Sequence, residues 1–502
     1  MQNPENPRAP FPDASMTILL TDDLFMHYQR CHRRAFLEVY GDSNQRQRPS
    51  DYLKKIMTDS SGHRRAILDQ YPSTRPVYPF QDWDSGFRAT RQLMAQGIEC
   101  IDRGVLLTPY GQGETQIQLL STPDLLIKQP GVSCFGNWQY WPVQVKLGRR
   151  PKLEYQMVSS FQALVLTQVQ AAVPEQVWLM LRDRDQPYVL DLAERWEPMQ
   201  DTLNQCRSAL QQAAAPEVFI ARNRCSLCLW FDHCYATAQE QRHLSLLPGV
   251  TPKRYSILQE LGITTLETLA KTAPLHLRDQ PGFGAEVARK MVDQAKASLS
   301  HTPLPNHLPD YPLPMGTPIE LYFDIEAQPE LNLAYLHGVL VVDRQKQQSS
   351  FHALLAEQPD QEGQAWQQFL DLVLRYPHAP IYHFCTYEAE AVKRLAKTYG
   401  GMEGGIQNLL DRFVDIHAWV TESVTLPVES YALKPIARWV GFDWRHSEAN
   451  GAQAIYWYEQ WLSTGDRQFL QAIVDYNEDD CRATHAVKYW LEQFLDQAVD
   501  CA

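Results

Sequence analysis

At 502 residues the chain is too long for a single hydrophobic core, and two or three domains are expected. Its composition, 44% hydrophobic and 21% charged, is that of a soluble globular protein, and no apolar run reaches the ~20 residues that a membrane span requires. The net charge of −13 arises wholly in residues 246–502, which excludes a basic coat for nucleic acid but not an enzyme whose metal ions offset local acidity.

The first residues, 1–7, are polar and rich in proline, without the apolar core of a signal peptide. This predicts a cytoplasmic protein with no membrane partner. Because the cytoplasm is reducing, the ten cysteines are not expected to form a disulfide framework.

Helices and strands alternate through the first half of the chain. Apolar spacing predicts helices over residues 22–40 and 51–70 and a strand over 98–107. The later predicted elements are strands at 122–127 and 138–146, a helix at 152–169, a hairpin with strands 177–181 and 188–190, and a long helix that ends near residue 214. This order predicts an α/β domain.

Three residues of this region are His63, Asp124 and Lys146. With the strand–helix order, they resemble the RecB-like branch of the PD-(D/E)xK nucleases. The resemblance implies that His63, Asp124 and Gln144 bind the metal and that Lys146 positions the attacking water. Gln144 stands where the family has an acidic ligand, and an uncharged carbonyl binds a hard cation more weakly. A degenerate fold that only binds nucleic acid is the alternative.

A cysteine motif with the spacing C-x2-C-x5-C ends this region and consists of Cys225, Cys228 and Cys234. Thiolates at this spacing are typical metal ligands, and a fourth ligand is needed. In RecB-like nucleases that hold an iron–sulfur cluster, the N-terminal helix supplies one cysteine, and the resemblance assigns that role to Cys31. The expected cofactor is a 4Fe–4S cluster. Zinc, with His233 or His32 as its fourth ligand, is the alternative.

Residues 244–300 form a predicted helical connector. Three helices are expected: one through Leu258, one that ends near Ala270, and one that starts at Pro281-Gly282-Phe283-Gly284. The glycines between them resemble helix-hairpin-helix units, which present backbone N–H groups to phosphate, although a plain helical spacer is the alternative. The proline-rich stretch 301–315 predicts a stiff, extended linker and a domain boundary.

Two carboxylates on one predicted strand mark the last domain, residues 316–502. In the apolar run 321–326, Asp324 and Glu326 project to the same face, because side chains alternate along a strand. Adjacent buried acids repel each other unless a cation, usually a divalent metal, lies between them. A second acidic cluster, 475–480, is predicted to open the helix that continues to Trp490.

Three stretches of this domain, taken in order, are Asp324-x-Glu326, His383-x-x-x-Tyr387-Glu388 and Tyr476-x-x-x-Asp480. They resemble the three motifs of the DEDD exonucleases, which have a ribonuclease H-like fold, and most closely the YprB type. The resemblance implies two-metal phosphodiester hydrolysis with Mg²⁺ or Mn²⁺. In that interpretation Asp324, Glu326 and Asp480 hold the metals, Glu388 completes the site, and Tyr476 orients the attacking water. Glu388 and His383 replace the Asp and Asn of the family pattern.

Together these segments resemble a RecB-like nuclease family over nearly the whole chain, with domains at 1–243, 244–300 and 316–502. The expected function is a metal-dependent nuclease acting on DNA or RNA. The C-terminal domain is expected to be a 3′–5′ exonuclease in DNA repair or nucleic-acid processing. The alternative is a non-catalytic nucleic-acid-binding or scaffold protein that retains both nuclease folds.

Overall fold

The structure is a computed structural model that describes residues 18–212, 214–306, 313–314, 316–401 and 405–500. The chain divides into two compact units. The first is Met1–Val218 with Arg222–Thr237, and the second is Phe219–Ala221 with Ala238–Ala502. Within the described ranges, no helix is both long and apolar enough to cross a membrane. The polar residues 1–7, and residues 307–312 and 315 of the predicted linker, lie outside the described residues.

The first unit contains two sheets. Its strands are β1 (Leu19–Thr21), β2 (Cys100–Asp102), β3 (Leu106–Tyr110), β4 (Ile117–Ser121), β5 (Leu125–Ser133), β6 (Gly136–Lys146), β7 (Trp178–Leu181) and β8 (Tyr188–Val189). One sheet has the order β2-β5-β6-β7-β8, in which the β6–β7 pair is parallel and the other pairs are antiparallel. The other sheet has the order β1-β4-β3.

Helices surround these sheets. They are α1 (Asp22–Arg30), α2 (His32–Tyr40), α3 (Asp51–Leu68), α4 (Trp83–Ala95), α5 (Leu153–Gln170), α6 (Leu192–Leu210), α7 (Arg222–Cys225) and α8 (Phe231–Glu240). Helix α5 is buried along most of its length because it runs through the apolar core of the unit, where Phe161 stacks on Phe25 of α1 with ring centroids 5.2 Å apart.

Two predicted elements of this unit are broken where the backbone changes direction. The helix predicted over 22–40 is interrupted at Cys31, whose extended backbone ends α1 and whose Sγ accepts the Arg34 N–H at the start of α2 (3.4 Å). The strand predicted over 98–107 is split into β2 and β3, in different sheets, because Arg103 adopts a left-handed conformation with φ 49°. The predicted β5–β6 pair and the β7–β8 hairpin are confirmed.

The second unit begins with the predicted connector, which contains α9 (Pro252–Glu260), α10 (Leu266–Lys271), α11 (Pro274–Arg278) and α12 (Gly284–Ser300). The sequence pattern misses α11, whose five residues are too few for a periodic signal. Buried Gln294 fastens α12 to the rest of the unit: its amide N–H donates to the Leu426 carbonyl (2.6 Å) and its oxygen accepts the Tyr431 hydroxyl (3.0 Å).

The remaining strands of the second unit are β9 (Leu304–Pro305), β10 (Ile319–Gln328), β11 (Leu333–Asp343), β12 (Gln348–Leu355), β13 (Ile381–His383), β14 (Phe413–Asp415) and β15 (Val424–Thr425). The main sheet has the order β12-β11-β10-β13-β14, with β12, β11 and β10 antiparallel and β13 and β14 parallel to β10. Strand β9, inside the predicted linker, pairs with β15.

The remaining helices are α13 (Glu362–Leu374), α14 (Tyr387–Tyr399), α15 (Gln407–Leu410), α16 (Ile416–Ser423), α17 (Leu433–Trp439), α18 (Gly451–Thr464) and α19 (Arg467–Asp500). Strand β10 lies at the centre of the sheet and contributes side chains to the hydrophobic cores on both of its faces. Phe323 packs in the core that contains α13 and α14, whereas Tyr322 packs in the opposite core, which contains α16 and α19. Asp324 and Glu326 follow Tyr322 on that second face at the two-residue period of a strand.

The acidic cluster 475–480 lies inside a helix and does not open one, which corrects the prediction. Helix α19 begins at Arg467 and runs through the cluster. Arg445, in the loop before α18, neutralises this stretch: its guanidinium contacts Asp475 (3.3 Å), Glu478 (3.0 Å) and Asp479 (2.9 Å). Acids one turn apart on a helix destabilise it by repulsion, and the shared guanidinium removes that cost.

Candidate catalytic metal centre

Three carboxylates meet where β10 faces α19. One oxygen from each of Asp324, Glu326 and Asp480 lies within 4.8 Å of the others. In the part of the chain that the structure describes, no other group of three or more His, Cys, Asp or Glu side chains is this close. Glu326 and Asp480 are only 6% and 8% exposed, so water screens their charges poorly. Carboxylate oxygens in this arrangement are the ligands that Mg²⁺ and Mn²⁺ prefer.

Burial and mutual repulsion make this cluster unfavourable without a cation. Burial raises the pKa of Asp324 and Glu326 well above the ordinary carboxyl range, and the charge of Asp480 raises both further. Burial also raises the pKa of Asp480, to about 6. A cation between the three groups would stabilise their ionised forms, because opposite charges lower the pKa of a carboxyl group. The residues present therefore fit a divalent metal.

Hydrogen bonds fix the orientation of two of these carboxylates. The Asn477 amide N–H donates to Asp324 Oδ2 (2.6 Å), and the Trp444 indole N–H donates to Asp480 Oδ1 (2.7 Å). Partners of this kind hold metal ligands in one rotamer, which lowers the cost of assembling the site.

Asn477 can occupy its position only because the facing strand carries a glycine. Gly338 on β11 is the pairing partner of Asp324 on β10. A Cβ added at Gly338 would lie 1.6 Å from Asn477 Oδ1, a distance that real atoms do not tolerate. A side chain at position 338 would therefore displace Asn477 from Asp324.

Glu388 approaches this centre from the start of α14. Its charge contributes to the raised pKa of Asp324 and Glu326, and its Oε2 is buried without a hydrogen-bond partner. His383 Nδ1 lies 3.6 Å from that oxygen and donates to the Cys385 carbonyl (2.6 Å). A buried carboxylate oxygen without a hydrogen-bond partner is available to a cation or to a water bound to it.

The turn that precedes α14 is strained. Cys385 has φ 78°, which is rare for a residue with a side chain, and its N–H donates to Asp415 Oδ1 (3.0 Å). The same oxygen accepts the N–H groups of His417 (2.9 Å) and Ala418 (3.3 Å) at the start of α16. Asp415 therefore fixes the turn, and the turn sets the direction from which Glu388 enters the site.

The first unit brings together Asp124, Gln144 and Lys146, but not His63. The three line a cavity of about 240 Å³ at the adjoining ends of β5 and β6. Arg64, the neighbour of His63 on α3, lines this cavity instead, with its Nε 2.7 Å from Asp124 Oδ1.

Three of the four predicted cluster ligands lie near one another in the first unit. Burial raises the pKa of Cys228 and Cys234, the latter to about 11, and the charge of Cys31 raises both further. Cys225 is the last residue of α7. The cysteines that the structure describes form no disulfide.

The sequence interpretation overlooks four residues that act on the carboxylates: Gly338, Lys434, Trp444 and Asn477. Asn477 shares a helix face with Asp480 through i,i+3 spacing, and a lone glycine in an apolar strand indicates a close approach, so both left a signal. Trp444 lies in a loop and leaves no local signal. The ammonium of Lys434 lies over the rings of Trp444 (5.2 Å) and Tyr476 (5.4 Å).

Comparison with known proteins agrees with the architecture of the second unit. A family model described as the RNase H superfamily matches residues 321–492, from β10 into α19. The crystal structure of SSO0001 is similar to part of this chain. The match covers 43% of this chain and 86% of the SSO0001 chain, with 16% sequence identity and a TM-score of 0.22. No curated protein matches the chain. The family-model match therefore supports a ribonuclease H-like C-terminal domain.

Proposed function

We propose that the chain is a metal-dependent nuclease that hydrolyses phosphodiester bonds of DNA or RNA through its C-terminal domain. The observation that carries the proposal is the buried group of Asp324, Glu326 and Asp480, with oxygens within 4.8 Å of one another. The RNase H superfamily match over the same segment supports it. The order of the motifs supports 3′–5′ exonuclease action, with a role in DNA repair or nucleic-acid processing.

Each residue of the acidic centre has its own role in the proposed reaction. Asp324, Glu326 and Asp480 would hold Mg²⁺ or Mn²⁺, with Glu388 acting directly or through a water. The bound metal supplies Lewis-acid stabilisation of the phosphate and a more acidic water. Burial keeps the pKa of Tyr476 far above its ordinary value, so its hydroxyl stays neutral and can orient the attacking water.

The test of this function is Asp324→Asn, which removes a ligand charge with little change in volume. Cleavage of end-labelled single- and double-stranded DNA and RNA, with Mg²⁺ or Mn²⁺, should fall at least ~10²-fold, or about 3 kcal/mol of barrier. Asp371→Asn, an exposed acid on α13, is the matched control and should cleave normally. Cleavage by a folded Asp324→Asn protein at the wild-type rate would contradict the assignment.

We further propose a 4Fe–4S cluster on Cys31, Cys225, Cys228 and Cys234, with structural zinc as the alternative. The C-x2-C-x5-C spacing supports it. The position of Cys31, at the break between α1 and α2 and close to Cys228 and Cys234, also supports it. The cysteine segment belongs to the same unit as α1 and α2, so the cluster would connect distant parts of one domain.

The sequence motifs also define the domain boundaries that we propose. Residues 1–243 would be a RecB-like domain, 244–300 a helix-hairpin-helix-like connector, and 316–502 the exonuclease domain, after the linker 301–315. Positive φ values at Gly262, Gly282 and Gly284 support sharp turns between the helices, as hairpins of this kind require. The partner is nucleic acid.

A further inference from the structure

The residues predicted to bind a metal in the first unit do not fit one. Asp124, the only carboxylate among them, is 6% exposed and has both oxygens engaged. Oδ2 accepts the Val145 N–H (2.7 Å), and Oδ1 forms an ion pair with Arg64, whose Nε lies 2.7 Å away without the alignment of a hydrogen bond. A divalent cation on Oδ1 would meet the guanidinium at contact distance in a poorly screened site, so it would have to displace Arg64.

The other two predicted ligands are also unsuited. Gln144 Oε1 already accepts the hydroxyl of Ser159 (3.1 Å) and carries no charge, so it would be a weak ligand for a divalent cation. His63 Nε2 is buried without a hydrogen-bond partner, but the ring does not line the cavity, and the charges that act on it are those of Arg182 and Asp183 in the turn after β7.

The charges around the cavity are already balanced. Three acids line it, Asp22, Asp23 and Asp124, and three bases, Arg64, Arg103 and Lys146. A divalent cation would add two positive charges to this set, whereas the acidic centre of the second unit repels itself in the absence of one. The two sites with nuclease-like residues therefore differ in net charge: the site of the first unit is balanced, whereas the acidic centre of the second unit is negative.

We infer that Arg64 is the built-in cation of the first unit, so that this cavity binds no divalent metal and hydrolyses no phosphodiester bond. Arg64 neutralises Asp124 as a metal would, without supplying an open coordination position for water or phosphate. Contacts from Lys146 or Arg103 to a nucleic-acid backbone would then be independent of metal.

Asp22 and Gln162 offer the other position that a cation could take in this cavity. Asp22 Oδ2 accepts the Thr122 N–H (2.7 Å) and the Gln162 amide N–H (3.2 Å). Asp22 Oδ1 and Gln162 Oε1 are buried without a hydrogen-bond partner, so a cation in this cavity would be expected there.

The first experiment measures Mn²⁺ binding to the full chain by electron paramagnetic resonance. In Asp324→Asn/Asp480→Asn, which lacks two of the carboxylates of the second unit, we expect no tightly bound Mn²⁺. A tight ion that persists in this protein and is lost when Asp124→Asn or Asp22→Asn is added would overturn the inference. This measurement leaves the first unit unaltered and does not depend on how its variants fold.

The second experiment measures cleavage and distinguishes the activity of the first unit from that of the second. Loss of activity in Asp324→Asn tests the second unit alone. Activity that persists in Asp324→Asn and disappears when Lys146→Ala is added would show a catalytic first unit, contrary to the inference.

The third experiment introduces a Mn²⁺ site into the cavity of the first unit by substitution. In the Asp324→Asn/Asp480→Asn background, Arg64→Ala with Gln144→Glu removes the built-in cation and adds a carboxylate, and the protein should gain one Mn²⁺. Arg65→Ala with Gln144→Glu is the matched control, because Arg65 is the exposed next residue of α3, and it should gain none. Absence of Mn²⁺ from a folded Arg64→Ala/Gln144→Glu protein, or equal binding by both proteins, would refute the role of Arg64.

Discussion

A single amide shapes the acidic centre at the residue scale. The Asn477 N–H donates to Asp324 Oδ2 at 2.6 Å, and its hydrogen bonding lowers the pKa of both Asp324 and Glu326 against the larger effect of burial. Donation to a carboxylate stabilises its charged form, which is the form that binds a metal. Asn477 is therefore a positioning residue, and Gly338 provides the space that it occupies.

Asn477→Ala should raise the Mg²⁺ concentration needed for cleavage about 10- to 100-fold, as expected for loss of a group that orients a metal ligand. Gly338→Ala should act in the same direction, because the added Cβ displaces Asn477. A Mg²⁺ titration of cleavage measures both. Gln471→Ala, at an exposed position of α19, should leave the titration unchanged. A wild-type Mg²⁺ requirement in Asn477→Ala would show that the amide has no such role.

At the scale of elements, β10 and α19 hold like charges together, and the sign of the pKa shifts sets the pH dependence. A carboxyl whose pKa is higher in the folded than in the unfolded protein favours folding at low pH. That contribution is lost as the pH rises from the unfolded-state pKa, about 4, through the folded-state pKa. For Asp480 the folded-state pKa is about 6, and for Asp324 and Glu326 it is also raised.

The increase in melting temperature on adding Mg²⁺ should therefore be larger at about pH 8 than at about pH 5. At the higher pH the ionised carboxylates repel one another and the cation relieves the repulsion, whereas at the lower pH protons compete with it. Calorimetry with Mg²⁺ and with a chelator at each pH measures this increase in melting temperature. The contributions of titratable groups distant from the site are the same in both measurements and cancel in the difference. Asp324→Asn should lose most of the pH dependence. A larger increment at the lower pH would contradict the assignment.

The interior of α19 depends on a guanidinium from outside the helix. Arg445 contacts Asp479, which is 4% exposed, through its side chain and also through its backbone N–H (2.8 Å). Arg445→Ala would leave this carboxylate with one donor fewer, beside Asp475 and Glu478. We expect a loss of about 2 kcal/mol in the free energy of unfolding by urea. Arg438→Ala, whose exposed pair with Asp443 spans 3.9 Å, should change it by less than about 0.5 kcal/mol.

At the scale of the whole molecule, the proposed cluster would join Cys31 to a segment roughly 200 residues away within the same unit. Anaerobically purified protein should be brown and contain iron and sulfide. Cys234→Ser should lose both and destabilise the first unit by several kcal/mol, because metal binding of this kind contributes directly to folding. Cys134→Ser, at an exposed cysteine, is the control. Stoichiometric zinc without iron would refute the cluster and leave a structural zinc site.

The sequence by itself determined the features that depend on local geometry. The two-residue period of a strand places Asp324 and Glu326 on one face, and the structure has them there with Asp480 beside them. The apolar spacing likewise predicted β5, β6 and the β7–β8 hairpin. Such features follow from backbone periodicity, which neighbouring residues encode.

Tertiary structure alone decided which charges meet. Arg64, and not His63, faces Asp124, although the two are adjacent in sequence, because the rotation of α3 against β5 and β6 selects one of them. The acidic stretch 475–480 continues a helix because Arg445 comes from a separate loop. These outcomes depend on groups far apart in the chain, whose pairing is set by packing, so no local pattern could have revealed them.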